Sequence, residues 1–218
     1  MTLVVPYATA LLLGSLHALE TDHMAAVTSF AVRKPGVGPA VRYGVRWSLG
    51  HGSAIVFVGT VLILAGIQPS AGTTHWLERI VGCVMIALGL WTFRSARALH
   101  AHVHTHADGT VHAHVHSHAL RPTHEHGHTA TAVGLLHGLA GSGSAIALLP
   151  VVALDTPFVA IGYLFVFALG TVVAMAVYGM LAGAVVGRAS ASSVRLARGL
   201  GRVTGVFTIM VGCIWLIG

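Results

Sequence analysis

The stretch His17-Ala-Leu-Glu20-Thr-Asp22-His23 lies within an apolar run that extends from about Thr2 to Val32. A run of this length is typical of a helix that crosses a membrane, for which about 20 apolar residues suffice. An ionised aspartate at the centre of a bilayer costs about 2.5 to 3.5 kcal/mol or more, so such residues usually mark an ion pathway or a buried partner. Because imidazole and carboxylate groups are metal ligands, the stretch predicts a cation site inside a membrane protein.

The overall composition is that of a membrane protein. Hydrophobic residues make up 55% of the 218 residues, charged residues make up 8%, and the mean hydropathy is +0.82, whereas soluble domains carry about 25% charged residues. The net charge of +6 does not indicate nucleic acid binding, because the basic residues lie in short gaps between apolar runs. Basic residues in such gaps orient helices in the membrane.

The two cysteines, Cys83 and Cys213, lie alone in separate apolar segments and form no C-x-x-C pair. We therefore predict that both are buried packing residues. Neither a thiol redox motif nor a structural zinc site is indicated.

Six apolar segments predict an all-α, polytopic membrane protein. They cover about 3–30, 43–66, 76–97, 129–150, 157–187 and 196–217. Basic residues occupy the first, third and fifth gaps but not the second and fourth, so the positive-inside rule predicts that the odd gaps are cytoplasmic and both termini are outside. Four tryptophans near span ends are predicted to lie at the membrane interface: Trp47, Trp76, Trp91 and Trp215.

The two halves of the chain resemble each other in order and spacing. Gly14-Ser-Leu-His17 matches Gly134-Leu-Leu-His137, and Leu49-Gly50 matches Leu169-Gly170, each at an offset of 120 residues. Because each half has three spans, an odd number, the second half enters from the opposite side, which predicts a 3+3 inverted-topology repeat. The predicted units are a first three-helix repeat over 1–98, a cytoplasmic His-rich loop over 99–128 and a second three-helix repeat over 129–218.

Three histidines on three predicted spans, His17, His51 and His137, lie at a similar depth if the helical rise is about 1.5 Å per residue. They could converge on one ion. On an unbroken helix, Asp22 and His23 face away from His17 at about 100° per residue. Either the helix breaks near His17, or Asp22 and His23 form a separate inner station.

The predicted metal ligands are therefore His17, Asp22, His23, His51 and His137. Three further residues are predicted to form an outer shell around them: Glu20, Ser142 and Thr171. Ser142 and Thr171 occupy the positions in the second half that correspond to Asp22 and His51. The glycine-rich segment 138–144 predicts a helix break in the second half as well.

The types of ligand atom restrict which metal ions can bind. Imidazole nitrogen suits late first-row divalent ions such as nickel, cobalt, copper and zinc, whereas all-oxygen sites suit magnesium or calcium. The lack of a nearby thiolate argues against copper(I), and zinc remains an alternative.

Eleven of the sixteen histidines lie between Leu99 and Thr129, in H-x-H runs. Alternating histidines bind divalent metals with little selectivity, and we expect this segment to be disordered without metal. It could collect ions for export, buffer imported ions or sense the internal metal level. These histidines are His100, His102, His104, His106, His112, His114, His116, His118, His124, His126 and His128.

These motifs resemble those of a known family. His17-x4-Asp22-His23 resembles the H-x4-D-H motif of the nickel/cobalt transporters, and Ser48-Leu-Gly-His51 resembles the L-G-H segment of their next helix. The run that begins Gly134-Leu-Leu-His137, together with the six predicted spans, is most similar to the compact urease-accessory-type nickel permeases. The His-rich loop resembles that of the related nickel/cobalt efflux proteins.

The resemblance implies a secondary transporter of Ni2+ or Co2+ in the bacterial inner membrane, with His17, Asp22 and His23 essential and His51 next. The metal would be a transported substrate, so we expect neither a cofactor nor an enzymatic activity. The expected partners are the divalent ion and the lipid bilayer, with a homo-oligomer or a metallochaperone contact left open. The urease-type resemblance favours uptake; the alternatives are nickel/cobalt efflux and a zinc or other divalent-cation carrier.

Two other classes are disfavoured by the sequence. A membrane redox conduit of the six-span thiol-exchange type needs a cysteine pair in the first helices of the two halves, and these segments contain no cysteine. A metal-dependent membrane hydrolase needs a base beside an open metal position, and Glu20 is the sole candidate.

Overall fold

The computed structural model of this chain describes residues 3–67, 71–97, 99–105, 111–117, 128–140, 154 and 156–217. Its elements in chain order are α1 (Val4–His17), α2 (Thr21–Ala31), α3 (Val37–Ala65), α4 (Ala71–Arg97), β1 (Leu99–Thr105), β2 (Val111–Ser117), α5 (His128–Ala140), α6 (Pro157–Ser192) and α7 (Val194–Ile217).

Within the described residues, four helices are long and apolar enough to cross a membrane, namely α3, α4, α6 and α7. Many of their large apolar side chains are exposed, as expected where lipid takes the place of water. The predicted class, a helical multi-pass membrane protein, is therefore confirmed. The predicted number of six spans is not established, because the first span forms two shorter helices and the fourth is described only as far as Ala140.

The first predicted span is broken directly after His17. Helix α1 has 14 residues and α2 has 11, so each is only about 16 to 21 Å long at 1.5 Å per residue. Between them Glu20 adopts an extended conformation, with φ −63° and ψ 149°. Of the two alternatives left open by the sequence, the broken helix is the one observed.

Glycines bring the helices of the two halves into close contact. A Cβ atom at Gly14 of α1 would overlap the backbone carbonyl of Phe167 in α6, and one at Gly134 of α5 would overlap that of Trp47 in α3. Only glycine allows backbones to approach this closely. The two contacts are related by the offset of 120 residues found in the sequence, since Gly14 corresponds to Gly134 and Trp47 to Phe167.

Helices α4 and α7 pack against each other in the same manner. A Cβ atom at Gly82 would lie 2.8 Å from the carbonyl oxygen of Gly212, and one at Gly89 would lie 2.7 Å from that of Gly205. Gly82 corresponds to Gly205 and Gly89 to Gly212 at an offset of 123 residues. Each contact is thus the counterpart of the other at this offset.

The His-rich segment contains an antiparallel strand pair, the one departure from helix among the described elements. The register of β1 and β2 pairs His100 with His116, His102 with His114 and His104 with His112. The expectation of disorder is wrong for these two strands, because H-x-H alternation has the period of two that suits a strand. Four predicted loop ligands lie outside the described residues: His106, His118, His124 and His126.

Because α5 and α3 approach closely, we predict that any side chain at position 134 lowers the stability of the folded protein. We expect Gly134→Ala to lower the thermal unfolding midpoint of the detergent-solubilised protein, because added atoms in a packed interface cost about 1 to 3 kcal/mol. Gly199→Ala is the matched control, since a Cβ atom there meets nothing within 4 Å. Equal midpoints for the two variants would contradict the packing described here.

Candidate metal centre

The five residues predicted as metal ligands come together in one buried cluster. His17 ends α1, Asp22 and His23 lie in the first turn of α2, His51 lies in the middle of α3, and His137 lies near the end of α5. None is more than 3% exposed. Four separate helices therefore deliver four imidazoles and one carboxylate to the same part of the interior.

The cluster contains two groups of three ligand atoms, and the atoms of each group lie within 4.8 Å of one another. We call His17, His23 and His51 the first triad. We call Asp22, His23 and His137 the second triad. His23 belongs to both.

In the first triad, Nε2 of His17 lies 3.1 Å from Nε2 of His51. Two imidazole nitrogens at this distance need a proton or another cation between them, because two lone pairs repel. The His17 and His23 rings meet edge to face, with centroids 4.4 Å apart. This arrangement is suited to binding a cation through nitrogen.

In the second triad, Oδ2 of Asp22 lies 2.8 Å from Nε2 of His137 and 3.8 Å from Nε2 of His23. The carboxylate is the one acidic group of the cluster. Its negative charge offsets part of the charge of a divalent ion, which is otherwise costly to hold in a low-dielectric interior.

A backbone contact sets the orientation of His23. Its Nδ1 lies 2.8 Å from the carbonyl oxygen of His17. A carbonyl oxygen only accepts hydrogen bonds, so Nδ1 carries the proton and donates, and Nε2 is left as the lone-pair nitrogen. A ring fixed in this way presents one ligand atom in a defined direction.

The helix ends around the cluster also favour a cation. Helix α1 ends at His17, the first of the five residues along the chain. Helix C-termini carry partial negative charge. Asp22 lies in the first turn of α2, where the partial positive charge of the helix N-terminus stabilises a carboxylate.

Two aromatic side chains pack against the histidine rings of the cluster. Trp47 stacks on His51 with ring centroids 4.9 Å apart and lies 5.5 Å from His137, while Phe167 lies 5.4 Å from His17. The prediction that Trp47 lies at the membrane interface is wrong, because it is fully buried. Its position four residues before His51, on the same face of the helix, is the signal in the sequence that reveals this role.

The residues predicted to surround the ligands have different positions. Oε1 of Glu20 lies 3.0 Å from Nδ1 of His17, without the alignment of a hydrogen bond, and its side chain is 32% exposed. The hydroxyl of Thr171 donates to the carbonyl oxygens of Gly14 and Phe167, at 3.1 and 3.2 Å, which ties α6 to α1. Ser142 lies outside the described residues.

The cysteines are not in this cluster. Cys83 in α4 and Cys213 in α7 are both exposed, so the prediction that they are buried is wrong. Among the described residues no helix covers these two side chains, and a lipid environment accepts a small apolar thiol as readily as a protein core does.

The fold and the cluster define a helical multi-pass membrane protein with a histidine–aspartate centre buried between helices. The chain belongs to the family described as "Cytochrome C biogenesis protein transmembrane region", whose model matches residues 8–214. No solved structure shows significant similarity to the chain.

The curated relatives of the chain include a urease accessory protein and a candidate nickel/cobalt efflux system. The urease accessory protein UreH of Bacillus sp. (strain TB-90) is 27% identical over 204 residues, which cover 92% of this chain and 85% of that protein. A candidate nickel/cobalt efflux system of Methanocaldococcus jannaschii is 31% identical over 99 residues, which cover 44% of this chain and 45% of that protein. The resemblance to the nickel/cobalt transporter family predicted from the motifs is therefore confirmed.

A third relative is the chloroplast protein FOR GROWTH AND FERTILITY 1 of Arabidopsis thaliana, 27% identical over 174 residues. These residues cover 78% of this chain and 47% of the plant protein. The chain thus spans most of the urease accessory relative but about half of the archaeal and plant relatives.

The central position of His23 predicts that nickel binding depends on it. The test uses a loop-silenced chain, defined here as the protein in which the eleven histidines of residues 100–128 are replaced by asparagine, so that loop binding does not mask the buried site. We expect His23→Ala in this chain to weaken nickel binding at least about tenfold. Mutation of a residue that only supports a ligand already lowers metal affinity by about tenfold or more, and loss of the ligand itself should cost at least as much. Equilibrium dialysis in detergent measures the change.

His75→Ala is the matched control, because His75 is an exposed histidine whose contact is with Glu78. Nickel affinity that is equal in the His23→Ala and His75→Ala variants would show that the buried cluster is not the binding site.

Proposed function

We propose that this chain is a secondary transporter, a permease, that carries divalent nickel or cobalt across the cell membrane. The observation that carries the proposal is the buried cluster of four histidines and one aspartate between apolar helices. Burying these groups without a guest leaves a carboxylate and several imidazoles in a low-dielectric interior, which is unfavourable. A divalent cation offsets that cost and in turn exchanges its water for nitrogen and oxygen ligands.

The proposed architecture is a six-span protein with a 3+3 inverted repeat. It is supported by the paired glycine contacts, which recur at offsets of 120 and 123 residues. It is also supported by the aromatic contacts, because the His17–Phe167 pair and the His137–Trp47 pair are counterparts at 120. Inverted repeats with broken helices place a substrate at the interface of the halves and permit alternating access.

The proposed substrate is a late first-row divalent ion. Imidazole-rich sites bind such ions better than they bind magnesium or calcium. The archaeal relative is described as a candidate nickel/cobalt efflux system. Zinc is the alternative that the ligand chemistry leaves open. The ion is cargo, so the proposal requires neither a resident cofactor nor a catalytic step.

Uptake is the direction we propose first, because the relative that matches over most of its length is a urease accessory protein. Efflux is the second candidate, favoured by the archaeal relative and by the histidine-rich strand pair. In the proposed orientation, both termini lie outside the bacterial inner membrane and the strand pair lies in the cytoplasm, as the alternation of basic gaps indicates.

The proposed role of Asp22 predicts that its charge is needed for transport. We expect Asp22→Asn, which keeps the shape of the side chain, to lower nickel flux in proteoliposomes at least about tenfold. His51→Ala is expected to have a similar effect, since it removes one ligand of the first triad. Flux of radioactive nickel, normalised to protein incorporated, is the measurement.

Glu78→Gln is the matched control for charge, because Glu78 contacts His75 in α4 and is not part of the cluster. Wild-type flux in both Asp22→Asn and His51→Ala would rule out the proposed transporter.

The direction is tested in cells that lack their own nickel transporters. Uptake predicts that expression of the chain raises accumulated nickel in a medium with trace nickel, and that Asp22→Asn abolishes the rise. Efflux predicts the opposite, namely lower accumulation and growth at toxic nickel concentrations.

A further inference from the structure

The two triads share one residue, and this sharing has a mechanistic consequence. We propose that a single metal ion occupies one triad at a time and that His23 passes it from one to the other during transport. This inference rests on the proposed function and adds the path of the ion within the site. In it, the first triad is one station, the second triad is the other, and His23 is the pivot that stays bound while the remaining ligands are exchanged.

The five ligand atoms do not fit around one ion. Ligand atoms at about 2.1 Å from a metal lie at most about 4.2 Å from one another. The two triads approach that limit, with all atoms within 4.8 Å, and among the described residues no group of four or five does so. Two stations therefore describe the geometry better than one composite site.

Two ions at once are excluded by the chemistry of His23. Its Nδ1 donates to the carbonyl oxygen of His17, so it has a single lone pair, at Nε2, and a single lone pair binds one metal ion. Two divalent ions separated by a few ångströms would also repel each other strongly in a low-dielectric interior. The cluster offers one carboxylate, Asp22, to offset that repulsion.

The two stations differ in which half of the protein builds them. The first triad uses α1, α2 and α3, all within residues 1–98, whereas the second triad takes His137 from α5 in the other half. A displacement of α5 therefore removes a ligand from the second triad and none from the first. Movement of a helix at the substrate site is one way in which inverted repeats alternate access.

The stations also differ in charge. Three neutral imidazoles form the first, whereas the second includes the Asp22 carboxylate, whose oxygen is 2.8 Å from His137. An ion in the second station thus has a carboxylate among its ligands, whereas the carboxylate nearest the first station, Glu20, lies beside Nδ1 of His17, the ring nitrogen that does not face His51, and is partly exposed. When His137 moves away with α5, the ion loses one ligand of the second station and is released to the first through His23.

The test measures nickel stoichiometry, nickel affinity and nickel flux in the loop-silenced chain. We expect one nickel ion per chain by elemental analysis after equilibrium dialysis. His51→Ala leaves the second triad complete and His137→Ala leaves the first complete, so each is expected to bind one ion still. Each is nonetheless expected to lose at least about tenfold in flux, because the transfer has no second station.

The double variant His51→Ala/His137→Ala leaves two ligands in each triad and is expected to bind nickel as weakly as His23→Ala. His137→Asn replaces His137→Ala if the alanine variant is unstable in size-exclusion chromatography. His75→Ala is the control for all measurements and is expected to match the parent chain.

Each result decides between the proposals. Two ions per chain, or loss of binding in both single variants, would overturn the pivot while leaving the transporter intact. Wild-type flux in either His51→Ala or His137→Ala would also overturn the pivot. A parent chain that binds neither nickel nor cobalt would overturn the proposed function itself.

Discussion

The hydrogen bond from Nδ1 of His23 to the carbonyl oxygen of His17 is the interaction on which the centre depends. A helix that ends inside a membrane leaves carbonyl groups without partners, and these are costly in lipid. Here the carbonyl oxygen of His17 accepts two hydrogen bonds, one from Nδ1 of His23 at 2.8 Å and one from the backbone N–H of Glu20 at 3.0 Å. The first of these bonds fixes the protonated nitrogen of His23 and directs Nε2 toward both triads. This one contact therefore both joins the two helices across the break and fixes the direction of the ligand atom of His23.

The break is kept in place by close packing between the two halves of the chain. Gly14 lies against the backbone of Phe167, and the hydroxyl of Thr171 donates to the carbonyl oxygen of Gly14. These contacts hold the end of α1 against α6, just before His17. In the other half, Gly134 allows α5 to approach α3 near Trp47, which brings His137 close to His51. Small residues at helix interfaces thus determine how near the ligands can come.

Much of the site was predictable because intramembrane polar residues are expensive and few. All five predicted ligands lie in the buried cluster, and the break near His17 was one of two alternatives. The errors have a common cause. The burial of Trp47 and the exposure of Cys83 depend on which helix faces touch a neighbour, and an apolar sequence looks the same whether it faces lipid or protein.

The sequence by itself determined the class of protein and the family resemblance, and it singled out the five polar residues that meet in the buried cluster, because these follow from hydropathy, residue type and spacing. Only the tertiary structure decided that the ligands divide into two triads joined at His23, that α1 ends at His17, and that Trp47 and Phe167 line the centre. The physical reason is that coordination requires atoms within a few ångströms of one another. Such distances are set by helix contacts between residues far apart in the chain, such as Gly14 and Phe167 or Trp47 and Gly134, which no local pattern encodes.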